Sequence, residues 1–162
     1  MGIQTLPDGT TAVPMDLIQA AGSNKIYVLL GTNAMNYMTD EAFLTYYDQF
    51  MTELAVRMPH AQVYIQSITP TTAEIGAKPQ YTLERIAALN DAIAGLAYNH
   101  GFHYVDINSV LSDETGYARE DLIYAGDGYH FRPEGYAVWR EYLMTHVAHW
   151  TGTPYEYGSP AA

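Results

Sequence analysis

Ile26-Tyr27-Val28-Leu29-Leu30-Gly31-Thr32-Asn33 is an unbroken run of strand-forming apolar residues that stops at a glycine. Continuous apolarity, as opposed to alternation, predicts a strand buried on both faces. Outward from it, Phe43, Tyr47, Phe50, Met51, Leu54 and Met58 recur every three to four positions and predict an amphipathic helix over Glu41–Met58. Thr39 or Asp40 would cap that helix and Pro59 would close it. A second strand is expected over Gln62–Thr69, ended by Pro70, then a loop to Gln80. A helix capped by Thr82 carries Leu83, Ile86, Leu89, Ile93 and Leu96 to a stop at His100-Gly101. Phe102–Ile107 reads as a third strand, and a last helix is expected from about Pro133 to Trp150. Upstream, Leu6-Pro7-Asp8-Gly9 is a turn signal between two short pairing segments, and Met15–Ala21 a short helix. Strands separated by helical crossovers imply a parallel sheet in an α/β layered domain. Ligands then lie where the strands end.

The chain has 162 residues, which argues for one domain over 1–150 with a loop-like tail at 151–162. Acidic residues number 18 and basic residues 7, giving a net charge of −11. That balance disfavours nucleic acid and anionic membrane surfaces as partners. No apolar run is long enough to cross a bilayer. Cysteine is absent, which excludes disulfides, thiolate catalysis and cysteine-ligated zinc. His100-x-x-His103 straddles a helix stop and a strand start, a poor arrangement for a metal, so no metal or cofactor is expected.

Two segments carry chemistry. Asp127-Gly128-Tyr129-His130 lies on a loop feeding the last helix. A carboxylate there can hold one imidazole nitrogen and leave the other to take a proton from a hydroxyl nucleophile. The same pattern also fits a polar loop in which Asp127 merely caps a turn. Asn33, straight after the first strand, can aim its amide N–H at a developing oxyanion, or can be an ordinary turn residue.

Together the segments resemble the SGNH (GDSL-type) esterase and acylhydrolase family. Tyr27-Val28-Leu29-Leu30-Gly31-Thr32-Asn33 is similar to the family's strand leading into Gly-x-Asn. Asp127-Gly128-Tyr129-His130, followed by Gly135-Tyr136, is similar to its last block. The resemblance implies a flavodoxin-like three-layer α/β/α sandwich. It implies Asn33 as oxyanion donor, His130 as general base and Asp127 as its orienting carboxylate. Gly31, Thr32 and Tyr129 beside them are the expected substrate contacts, and the substrate a small-molecule or glycan ester.

The family's Gly-Asp-Ser block is not in this sequence. Ser23, Ser67, Ser109, Ser112 and Ser159 all lie elsewhere relative to the strands, and Ala34 stands where many members carry Asp. The family's first strands are likewise without a counterpart, which would leave strand 26–30 at a sheet edge. The expectation is that a segment outside this chain, a second chain or another copy covers that edge and that the serine comes from outside. The alternative is a non-catalytic binding module that keeps the sheet without the nucleophile.

Overall fold

The computed structural model describes residues 4, 5, 9 and 11–147. The expected hairpin forms from β1 (Gln4–Thr5) and β2 (Thr11–Ala12), paired antiparallel. The helix α1 (Pro14–Ala21) opens on a proline whose fixed φ suits a first turn. Then come β3 (Lys25–Val28), α2 (Asp40–Arg57), β4 (Gln62–Gln66), a single turn α3 (Ala73–Gly76), α4 (Leu83–Asn99), β5 (His103–Val105), α5 (Ile107–Leu111) and α6 (Pro133–Thr145). Short 3-10 turns lie at Ala34–Asn36 and Glu120–Leu122.

Strands β3, β4 and β5 form a parallel sheet in that order, with Ile26 beside Val63 and Ile65 beside Tyr104. Alternation along β4 sends its side chains to two different layers. Val63 and Ile65 join Ile26 and Val28 in a cluster with Met51 and Leu54 of α2 and Leu89 and Ile93 of α4. Tyr64 points the other way, into a cluster with Val105, Ile107 and Val147 against which Trp139, Tyr142 and Leu143 pack. The result is helix, sheet, helix: the three-layer α/β/α arrangement.

Both long helices begin as expected. Thr39 Oγ1 accepts the Ala42 N–H at 3.3 Å, and Thr82 Oγ1 accepts the Arg85 N–H at 3.2 Å. Each cap satisfies an otherwise orphaned donor, worth about 1 kcal/mol.

Some expectations shift. Strand β3 is not buried on both faces: Ile26 and Val28 are buried, whereas Tyr27 is 40% exposed and Leu30, past the strand, 46%. Apolar composition reports what a strand tolerates, and β3 has a neighbour on its β4 side only among the described residues. The strand expected to reach Thr69 ends at Gln66, and the one expected to reach Ile107 ends at Val105. Asp106 turns the latter into α5 by accepting the Ser109 N–H at 3.4 Å. The loop expected over 70–80 contains α3. Helix α6 stops at Thr145, and the tail assigned to 151–162 lies outside the described residues.

Candidate active site

The loop after β3 is held down from below. Gly31 has φ +139°, and a Cβ there would come within 2.5 Å of the Ile68 side chain, so a glycine is required both by conformation and by space. The Gly31 carbonyl accepts the Met35 N–H at 3.1 Å, which starts the 3-10 turn. Asn33 sits at the head of that turn with φ −73° and ψ −36°, exposed, and its side chain makes no capping bond. Its amide is therefore not consumed by the turn that places it.

Ile68, which Gly31 abuts, is fixed by side chains from two other elements. Asn90 of α4 accepts the Ile68 N–H at 2.7 Å and donates to the Ile68 carbonyl at 3.2 Å. Asn108 of α5 donates to the same carbonyl at 2.9 Å. These amides take over from the backbone pairing to β5, whose last bond is from the Ser67 N–H to the Val105 carbonyl at 3.0 Å.

The second loop is a tight hairpin. Tyr124 N–H donates to the His130 carbonyl at 3.1 Å, and Arg132 N–H to the Leu122 carbonyl at 2.8 Å. Inside it Asp127 makes contacts of two kinds. It accepts the backbone N–H groups of Tyr129 at 3.1 Å and His130 at 2.8 Å, capping the turn. Its two oxygens also each lie 2.8 Å from His130 Nδ1. With Nδ1 donating, Nε2 carries the lone pair. The His130 side chain is 71% exposed and that of Asp127 33%, so the imidazole faces outward from a more sheltered carboxylate. The imidazole bond, then the two backbone N–H groups, hold the Asp127 carboxyl below its ordinary value. Gly128, with φ +89°, lets the hairpin press onto the loop after β4: its carbonyl accepts the Thr72 N–H at 3.0 Å, and a Cβ there would meet Ile75 at 2.3 Å.

Tyr81 joins the two loops. Its hydroxyl donates to the Thr32 carbonyl at 3.2 Å and accepts a bond from Asn36 Nδ2. Its ring lies 5.7 Å from that of Tyr129, which meets His130 edge-on at 5.5 Å. Tyr129 is thus packed inward against the core cluster. Sequence reading missed Tyr81, Asn90 and Asn108. For Asn90 a signal existed: a polar amide on the apolar stripe of Ile86, Leu89 and Ile93.

A cavity of about 330 Å³ adjoins the far side of the hairpin, lined among others by Thr72, Ile75, Ile123, Tyr124 and Asp127. Neither His130 nor Asn33 lines it. Three serines, Ser67, Ser109 and Ser112, are engaged elsewhere. Ser67 Oγ accepts the Asn108 N–H, while the hydroxyls of Ser109 and Ser112 donate to carbonyls of Asp106 and Asn108. His100 pairs with Asp48 and His103 stacks on Tyr64, so that pair faces different surroundings. Among the described residues no group of three or more His, Cys, Asp or Glu is placed to hold a metal ion.

A parallel α/β sandwich with a histidine–aspartate pair and a Gly-Thr-Asn loop at the strand ends has the layout of a hydrolase of the three-layer type. The chain belongs to the GDSL-like lipase/acylhydrolase family, whose profile matches residues 4–138. Among solved structures it is similar to a Streptococcus pneumonia protein described as a platelet activating factor. The identity there is 22% and the TM-score 0.68, covering 80% of this chain and 66% of that one. It is also similar to a peptidoglycan O-acetylesterase, at 16% identity and TM-score 0.65, covering 80% of this chain and 38% of that one. A GDSL-like lipase from Bacteroides thetaiotaomicron follows at 17% and 0.59, covering 75% and 60%. The chain thus spans less than two thirds of the length of each. No curated protein matches it.

Proposed function

We propose that this chain carries the base, its carboxylate partner and the oxyanion donor of an ester hydrolase whose serine is supplied from outside the chain. The serine Oγ attacks the ester carbonyl while His130 Nε2 takes its proton. Asp127 holds the imidazole in that tautomer and stabilises the imidazolium. The Asn33 amide donates to the oxyanion, and His130 then returns the proton to the departing alcohol, leaving the acyl group on the serine. A water deprotonated by His130 Nε2 attacks that acyl carbon, and the serine Oγ leaves as the acid forms, taking the proton back from His130. Each step is acyl transfer between oxygens assisted by proton transfer and hydrogen bonding, so the scheme calls on no metal or organic cofactor. The observation that carries the reading is His130 Nδ1 at 2.8 Å from both Asp127 oxygens, on an imidazole open to solvent.

The proposed substrate is a small acyl ester or an O-acyl group on a carbohydrate. Gly31, Thr32 and Tyr129 line the approach in this reading.

The test joins the chain to a serine-bearing upstream segment and follows hydrolysis of an activated acetyl ester. His130→Ala is expected to lower kcat by about 10²–10⁴-fold, the ordinary worth of a general base. Unchanged activity in that variant overturns the assignment. The second reading, a glycan-binding module without turnover, is favoured by the engagement of Ser67, Ser109 and Ser112 elsewhere. Glycan binding by a joined protein that hydrolyses nothing would establish it.

A further inference from the structure

Catalysis of the proposed kind needs Asn33 and His130 held at a fixed separation, yet they stand on loops from opposite ends of the chain. One side chain touches both. Tyr81 is 4% exposed and lies just before the cap of α4, its N–H donating to the Lys78 carbonyl at 2.9 Å. Toward the first loop it acts through its hydroxyl, bonded to the Thr32 carbonyl. That carbonyl and the Asn33 N–H belong to one planar peptide, so pinning the oxygen fixes the plane from which Asn33 departs. Toward the second loop it acts through its ring, which packs on Tyr129, the residue before His130. Burial raises the Tyr81 phenol above its ordinary value, against the opposing effect of the Asn36 bond, so it stays a donor across the neutral range. Arg85 grips the far side of the first loop, donating to the carbonyls of Met35 at 3.1 Å and Met38 at 3.4 Å and pairing with Asp40 at 2.7 Å. It leaves the Thr32–Asn33 peptide to Tyr81.

We infer that Tyr81 is a positioning residue that sets the oxyanion donor Asn33 against the base His130, with its hydroxyl serving one loop and its ring the other. The inference rests on the functional reading above for its catalytic meaning, but the coupling itself is measurable without turnover.

The two halves of the side chain can be removed separately. In the isotope-labelled chain, Tyr81→Phe keeps the ring and loses the hydroxyl. Its amide shift changes are expected at Thr32, Asn33, Ala34 and Asn36, with Gly128 to Phe131 unmoved. Tyr81→Leu loses both, and the changes extend to Gly128–Phe131. Tyr129→Leu approaches from the other side and is expected to move His130, Tyr81 and the Thr32–Asn33 amides together, which keeps the test decisive should Tyr81→Leu fail to fold. Signals of β4 report that the fold is intact. In the serine-bearing protein, Tyr81→Phe is expected to lower kcat about 10-fold with KM unchanged. That is part of the 10²–10³ that loss of an oxyanion donor costs. The inference is overturned if Tyr81→Phe leaves residues 32–36 unmoved, if Tyr129→Leu leaves Thr32 and Asn33 unmoved, or if the kinetic loss falls on KM alone. Failure of His130→Ala to affect hydrolysis would instead sink the functional reading and leave these shifts as they are.

Discussion

Asp127 shows how one carboxylate can hold a turn and an imidazole together. Its oxygens collect three donors, the His130 ring and the backbone N–H groups of His130 and Tyr129. Each favours the ionised form, and the His130 ring contributes most to holding the group below its ordinary value of 3.8. The sign of the pH dependence follows. A carboxyl whose folded value is depressed adds stability that is fully present above its unfolded value and is lost as pH falls through the folded value. The hairpin around His130 is therefore expected to stay ordered down to pH 3.8 and to loosen only below it. In a pH titration followed by amide resonances, Tyr129 and His130 should move together in that acid range. Asp127→Asn should abolish the shared transition, because a neutral amide has nothing to titrate. A transition at or above the ordinary carboxylate value would show that the three donors do not act on Asp127 as the geometry indicates.

At the scale of elements, the site loops are set by contacts between segments far apart in sequence. Asn90 is the clearest case: it reaches from α4 to both polar groups of Ile68, and Ile68 in turn is the surface on which Gly31 rests. Asn90→Leu keeps the volume but leaves the Ile68 N–H buried without a partner. That should cost about 1–3 kcal/mol of stability, read from urea unfolding as a lower midpoint at unchanged slope. A loss under about 0.5 kcal/mol, as for an ordinary surface change, would mean that the amide bridge is not holding the strand end. The same contact explains what a reader of the sequence sees and what escapes. Asp127, Gly128 and His130 are legible because the atoms that interact lie within three residues. So is Asn33, which a glycine places straight after an apolar strand. The caps Thr39 and Thr82 are local too. Tyr81 acts on a residue 49 positions away and Asn90 on one 22 positions away, and only the parallel crossovers bring those partners together. The two-faced burial expected of β3 failed for a related reason: the residues of a strand do not say how many neighbours it has.

For the whole molecule, the exposed side of β3 is where fold and function meet. Its backbone is paired on the β4 side, Tyr27 stacks on Tyr64 at 4.9 Å while remaining 40% exposed, and Leu30 stands open beyond it. Among the described residues no strand pairs with its other edge, and an unpaired strand edge is a template for another strand. Two features blunt it: the strand is only four residues long, and it begins with Lys25, whose ammonium lies 5.8 Å from the centre of the Tyr64 ring. A third is global, because a net charge of −11 makes copies of the chain repel one another. Repulsion is screened by salt, with a Debye length near 3 Å at about 1 M, whereas strand pairing and apolar contact survive it. We propose that this edge accepts a covering strand, and that in its absence the chain pairs with itself once the charge is screened. Light scattering should then give a mass near 18.0 kDa at low salt and a higher one at high salt. Tyr27→Lys, which places a second cation on the exposed edge, should hold the chain at the lower mass throughout. A wild-type chain that stays at the lower mass in both conditions, or association that Tyr27→Lys leaves untouched, would place the covering surface elsewhere. It would also remove the route by which an outside segment could bring its serine alongside Asn33 and His130.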